Sequence, residues 1–121
     1  MILVDTSVWI DHLRCRNQYL AELLEADEVV IHPFVIGELA CGNIQNRAEI
    51  LSLLRALPLA TKAGNDEVLQ LIGRRKLQGK GLGLIDIHLL ASCLIERSSL
   101  LTKDARLAAV AADMGLGGAR Q

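Results

Sequence analysis

Aromatic rings are scarce in this chain. Trp9, Tyr19 and Phe34 are the only ones among 121 residues. With so few platforms for bases to stack on, the composition argues against a single-strand binder of the aromatic type. Net charge is missing too: 13 Lys and Arg against 14 Asp and Glu leave −1. That balance argues against binding by bulk attraction to phosphate, while leaving open a local grip or one made through metal ions. Cys15, Cys41 and Cys93 are odd in number and far apart, so neither a zinc site nor a disulfide framework is supported. They are expected to be reduced, buried, small apolar residues. No basic leader is visible, since Asp5 interrupts the apolar start. No apolar run is long and charge-free enough to cross a bilayer. A single cytoplasmic domain spanning 1–121, with its own core and no internal repeat, is the expectation.

What the chain does have is an apolar opening that ends in an acid, Ile2-Leu3-Val4-Asp5. Three apolar residues without alternation read as a strand buried on both faces, as in a parallel sheet. Thr6 or Ser7 then reads as the N-cap of a helix with Val8, Trp9 and Leu13 inward. Asn17 caps a second helix, Gln18 to Ala26, with Leu20, Leu23 and Leu24 on its apolar stripe. Val29 to Ile31 is a second buried strand, and Pro33 starts a helix running to Cys41, stopped by Gly42. Arg47 to Leu57 is helical with Ile50, Leu51, Leu53 and Leu54 inward, and Leu59 to Thr61 reads as a short strand. Asn65 or Asp66 caps the next helix, with Val68, Leu69, Leu71 and Ile72 inward. After the break Gly81-Leu82-Gly83 comes an apolar helix, Leu84 to Glu96. Ser99 to Thr102 is another strand, followed by Lys103-Asp104 and a helix from Ala105 to Met114 that Gly115 ends. Residues 116–121 read as a frayed tail. The pattern is α/β: a central, mainly parallel sheet with helices on both faces.

Four acids stand out. Asp5 and Asp104 end strands. Glu38 and Asp86 lie early on helices whose neighbours three and four residues away are apolar or glycine, a costly place for an acid that is not paired, protonated or bound to a cation. Each alone has a bland explanation, such as an N-cap for Asp104 or a cap-like bond for Asp86. In right-handed βαβ connections, however, strand C-termini and the following helix N-termini share one sheet edge, where ligands bind. All four can converge there. Four carboxylates in one pocket repel and raise one another's pKa. A hard divalent cation, Mg²⁺ or Mn²⁺, relieves this with oxygen ligands and retained waters. One or two such ions can activate water for in-line attack on a phosphodiester. Thr102, and Thr6 or Ser7, can hold carboxylates or water through their hydroxyls. His12, His32 and His88 have no convincing partner and read as structural or exposed. Arg74, Arg75, Lys76 and Lys80 form a basic cluster. It suits a solvated helix C-terminus and equally an edge that meets RNA or a protein partner.

At these residues the chain resembles the PIN-domain ribonucleases, most closely the VapC-type toxins of type II toxin–antitoxin systems. The matching stretches are Val4-Asp5-Thr6-Ser7, Ile36-Gly37-Glu38-Leu39, Gly83-Leu84-Ile85-Asp86 and Leu101-Thr102-Lys103-Asp104. They occur in order over nearly the whole chain. The resemblance implies a PIN-like α/β/α sandwich and an acidic Mg²⁺- or Mn²⁺-dependent site that cuts RNA endonucleolytically. It further implies homodimerisation and inhibition by a VapB-type antitoxin covering the site. Asp5, Glu38, Asp86 and Asp104 would be the catalytic and metal-site acids, with Thr6 and Thr102 supporting. In departure from many relatives, Ala105-Arg106-Leu107 carries no aromatic after the last acid, and no final edge strand is readable. Two other readings compete. A receiver-type signalling domain needs a phosphate-accepting Asp at the end of a central mid-chain strand, and Leu59-Ala60-Thr61 supplies none. A catalytically silent binding module on the same fold has no use for four retained acids.

Overall fold

The computed structural model describes residues 1–117. In chain order the elements are β1 (Ile2–Val4), α1 (Thr6–Cys15), α2 (Gln18–Glu25), β2 (Val29–Val30), α3 (Pro33–Cys41), α4 (Arg47–Arg55), α5 (Asn65–Arg75), α6 (Leu84–Glu96), β3 (Ser99–Leu101) and α7 (Ala105–Asp113). The strands form one parallel sheet in the order β2-β1-β3. The opening stretch is thus the central strand, with Val4 opposite Leu101 and Leu3 opposite both Val30 and Leu100. Leu3, Val4, Leu100 and Leu101 are all buried, which is why these strands show no polar alternation. Helices cover both faces in an α/β/α arrangement. Both α6 and α7 pack on β3, α5 packs on α6, and α1 packs on α2 and α3. No helix among the described residues is long and apolar enough to cross a membrane.

The sheet is extended beyond its named strands. Ile31 bridges Leu59 in parallel, its N–H donating to Pro58 and its carbonyl accepting from Ala60. The expected strand at Leu59 to Thr61 is therefore reduced to one bridge. On the other side, Leu116 departs from its expected place in a tail. It is buried, and its carbonyl accepts the Leu100 N–H at 2.7 Å. The remainder of the expected tail, from 118 on, lies outside the described residues.

Several local expectations change for physical reasons. Asp5 itself, not Thr6 or Ser7, caps α1. Gly64, not Asn65 or Asp66, precedes α5, and its N–H is held by Glu67 Oε1 at 2.9 Å. Leu53 and Leu69 point outward, at 59% and 63% exposure. With only Leu54 of α4 and Val68 of α5 fully buried, these helices contribute a narrow stripe instead of a broad face. Of the cysteines only Cys93 is buried; Cys15 and Cys41 are exposed. Burial and the Glu96 charge push the Cys93 thiol up to about 12, which removes it as a nucleophile at neutral pH.

Because Leu101 is buried in the sheet core and Leu69 is not, truncating the two separates packing from composition. Leu101→Ala should cost about 2–5 kcal/mol in urea unfolding. Leu69→Ala should stay within roughly 0.5 kcal/mol of the parent. Equal effects would contradict the assigned core.

Candidate active site

The carboxyl ends of β1 and β3 lie side by side, with the Asp5 N–H donating to the Leu101 carbonyl at 2.9 Å. Asp5 leaves the sheet there with only 7% of its surface exposed. A carboxylate so enclosed needs donors, and it has three. Oδ1 accepts the Thr6 N–H at 2.7 Å. Oδ2 accepts the Ser7 hydroxyl at 2.8 Å and the Thr102 hydroxyl at 2.7 Å. Both hydroxyls also act as acceptors. Ser7 Oγ takes the Lys103 N–H and Thr102 Oγ1 takes the Asp104 N–H, each at 3.0 Å. Asp5 thereby positions the loop that carries Asp104, although 97 residues separate it from Thr102.

Asp104 caps α7, its Oδ1 accepting the N–H groups of Arg106 and Leu107 at 2.9 and 3.2 Å. The bland N-cap reading therefore holds for one oxygen and leaves Oδ2 out of the cap. Asp86 sits in the first turn of α6, and its Oδ2 accepts the Gly83 N–H at 2.9 Å. Its pKa is raised. Burial is the largest cause, the Gly83 bond opposes it, and the charges of Asp5 and Asp104 push the same way as burial. The charges of Asp5 and Asp104 thus reach Asp86, in keeping with one sheet edge. Glu38 differs from expectation. It is exposed instead of buried on an apolar stripe, so its ionised form carries little desolvation cost. It is tied to the others through Thr6, whose hydroxyl donates to Glu38 Oε1 at 2.6 Å. A cleft of about 540 Å³, lined by Ile10, Leu13, Arg14, Leu39 and Ile44, opens beside Glu38.

The adjacent hydroxyls thus divide the work: Thr6 holds Glu38 and Ser7 holds Asp5. Sequence alone leaves them interchangeable. It also misses the ion pair between Asp11 on α1 and Lys103 in the β3–α7 loop, 3.2 Å long. The signal for it was Asp11 standing four residues after Ser7, and so on the same helix face. This is the single ion pair among the described residues, so no Lys or Arg there neutralises the four acids.

Among the described residues, no three His, Cys, Asp or Glu side chains stand close enough to enclose a metal by themselves. The donor chemistry nevertheless fits Mg²⁺ or Mn²⁺. All four groups are hard oxygen donors, and each has one carboxylate oxygen with spare acceptor capacity. Such ions also take only one or two carboxylates and keep several waters.

The histidines supply no alternative acid–base pair. His32 is fully buried, its Nδ1 accepting the Phe34 N–H at 3.0 Å; burial first, then neighbouring His88 and Lys62, lower its pKa to about 4. His88 is buried against Phe34 and is also lowered by burial. His12 is lowered by burial and accepts the Asn17 N–H. All three are neutral at pH 7, and none bonds to the four acids. Arg74 and Arg75 lie in the last turn of α5, Lys76 is its left-handed C-cap, and Lys80 lies in the following loop. All four cations are exposed, and no ion pair joins them to the acids.

Comparison with known proteins bears on the family. A family model described as PIN domain matches residues 2–113. Two relatives named Ribonuclease VapC32 come from Mycobacterium tuberculosis strains CDC 1551 / Oshkosh and ATCC 25618 / H37Rv. Each is 50% identical over 117 residues, covering 96% of this chain and 94% of the relative.

The raised pKa of Asp86 has a stability consequence. An acid that holds its proton longer in the folded than in the unfolded state loses stability as pH rises from its ordinary value, 3.8, through its folded pKa. Asn at this position can still accept the Gly83 N–H but carries no charge. Thermal unfolding of Asp86→Asn and parent in EDTA should therefore diverge in the variant's favour as pH rises across that window, then level off. A difference independent of pH would contradict the shift.

Proposed function

The chain belongs to the PIN-domain family, and from that premise we propose that it is a metal-dependent endoribonuclease acting as the toxin of a toxin–antitoxin pair. The observation that carries this is geometric: Asp5 and Asp104 are joined at one sheet edge through Thr102, and no cationic side chain among the described residues pairs with them or with Asp86. Burial raises the pKa of Asp86, and the charges of Asp5 and Asp104 add to the shift. The protein holds repelling carboxylates together through hydroxyl and amide donors alone. Such an arrangement costs stability unless a ligand repays it. The name borne by the two relatives at 50% identity supports RNA as the substrate.

In this mechanism the fold's own groups bind and orient. Asp5 is fixed by three donors and so presents its remaining acceptor capacity in one direction. Asp86 and Asp104 each have one oxygen held by helix-terminal N–H groups, and the other is outside those bonds. Glu38 approaches from α3, steadied by Thr6. Mg²⁺ or Mn²⁺ held by these acids would supply an activated water and neutralise charge on the phosphate under attack. The neutral histidines and the raised Cys93 thiol leave a hydrolysis with no covalent enzyme intermediate as the chemistry these residues support. The proposal includes a cytoplasmic location, a homodimer, and a VapB-type antitoxin that covers the acids.

Chain purified free of antitoxin and incubated with total RNA tests this. Discrete fragments should form with Mg²⁺ or Mn²⁺ and not with EDTA. Asp5→Asn and Asp86→Asn should reduce the rate by about 10²-fold or more, the scale on which removal of one electrostatic stabiliser acts. Folded variants that cut as well as the parent would remove these acids from the site. Mn²⁺ binding without any cleavage would favour the silent binding module.

A further inference from the structure

An acidic site does not by itself explain how a polyanionic strand is held beside it. Building on the ribonuclease reading, we propose that Arg106, assisted by Lys80, grips an RNA phosphate that flanks the one at the acids. Arg106 lies in the first turn of α7, its N–H on Asp104 Oδ1. Its side chain makes no ion pair with that carboxylate and packs against the Gly81 backbone. A Cβ added at Gly81 would come within 2.7 Å of Arg106 Nη1, 2.9 Å of Cδ and 3.3 Å of Cζ. The guanidinium therefore spans from α7 to the loop that precedes α6. Two residues further on in that loop, the Gly83 N–H holds Asp86. Arg106 thus packs against the loop that leads to Asp86, and its own backbone N–H is on Asp104.

No ion pair accounts for this placement. Arg106 is exposed and forms none among the described residues, though acids stand close by. It also lies at a helix N-terminus, where the dipole disfavours a cation. Gly81, at φ +79, leaves the backbone bare and so gives the guanidinium a flat seat. Lys80 lies between Gly81 and Gly79, the latter at φ +74, so its Cα is about 3.8 Å from that of Gly81. Lys80 and Arg106 therefore share one rim. In sequence Lys80 comes four residues after Lys76, which follows Arg74 and Arg75 at the end of α5. A planar guanidinium with several donors is suited to bidentate phosphate binding.

The test compares the parent with Arg106→Ala, Arg106→Lys and Lys103→Ala. Lys103→Ala is a matched loss of one positive charge, because that ammonium is occupied by Asp11. Binding of a short fluorescein-labelled RNA of randomised sequence is followed by anisotropy in EDTA at several salt concentrations. Cleavage of the same RNA is measured with Mn²⁺. Arg106→Ala should weaken binding on the order of tenfold and reduce the slope of log affinity against log salt by about one. KM should rise more than kcat falls. Arg106→Lys should keep the slope and recover part of the affinity, and Lys103→Ala should change both less. Parent affinity and slope in Arg106→Ala, or equal effects in Lys103→Ala, would overturn the proposal. So would lost affinity accompanied by a lower melting temperature and no recovery with Lys, which marks a loop brace. If the parent itself neither binds nor cuts RNA, the ribonuclease reading fails and the grip with it.

Discussion

The enclosed carboxylate of Asp5 is the constraint on which the site depends. Burying an ionised acid at the end of the central strand is costly unless its oxygens find donors. The chain supplies the Thr6 N–H and the hydroxyls of Ser7 and Thr102, all at 2.7 to 2.8 Å. Two of these lie in the residues that follow β1, and the third ends β3, the strand paired with it. Satisfying one charge therefore fixes the start of α1, the register of β1 against β3 and the loop into α7. Because Ser7 and Thr102 also accept the Lys103 and Asp104 N–H groups, the same clasp aims the cap of α7.

Around that clasp the fold collects charge it does not neutralise. Asp86 arrives on α6 and Asp104 on α7, each stabilised on one oxygen by helix-terminal N–H groups and by the dipole there. Burial nevertheless raises the Asp86 pKa, and the charges of Asp5 and Asp104 add to that shift. Glu38 is held farther out through Thr6. Each acid thus has a local reason to sit where it does, and a bound cation would give the group a common one. The basic rim of Lys80 and Arg106 complements this. Positive charge is kept outside the acid edge, where it can meet a phosphate without quenching the carboxylates.

Much of this was legible in the sequence because it depends on local chemistry. Unalternated apolar runs announced buried parallel strands. Acids at strand ends marked the edge where Asp5 and the Asp104 loop meet. What could not be read depended on long-range packing. Whether Thr6 or Ser7 would hold Asp5 was decided by where β3 placed Thr102. The exposure of Glu38, and of Leu53 and Leu69, reflects how narrow a stripe α3, α4 and α5 bury, which periodicity overstates. Leu116 looked like a tail residue because one isolated apolar residue among glycines gives no strand signal; its bond to Leu100 comes from the free edge of β3. The seating of Arg106 on Gly81 joins residues distant in sequence, and no spacing pattern reports it.

The central claim is that these acids form a cation site, and Mn²⁺ binding measures it most directly. The signal of free aquo-Mn²⁺ can be followed by electron paramagnetic resonance as chain is added, with Asp86→Asn in parallel and RNA absent. The expected result is about one to two ions bound per chain, with binding weakened strongly in the variant while its fold is retained. A parent that leaves all the Mn²⁺ free, or a variant that binds as well as the parent, would contradict the convergence of Asp5, Glu38, Asp86 and Asp104 on a metal.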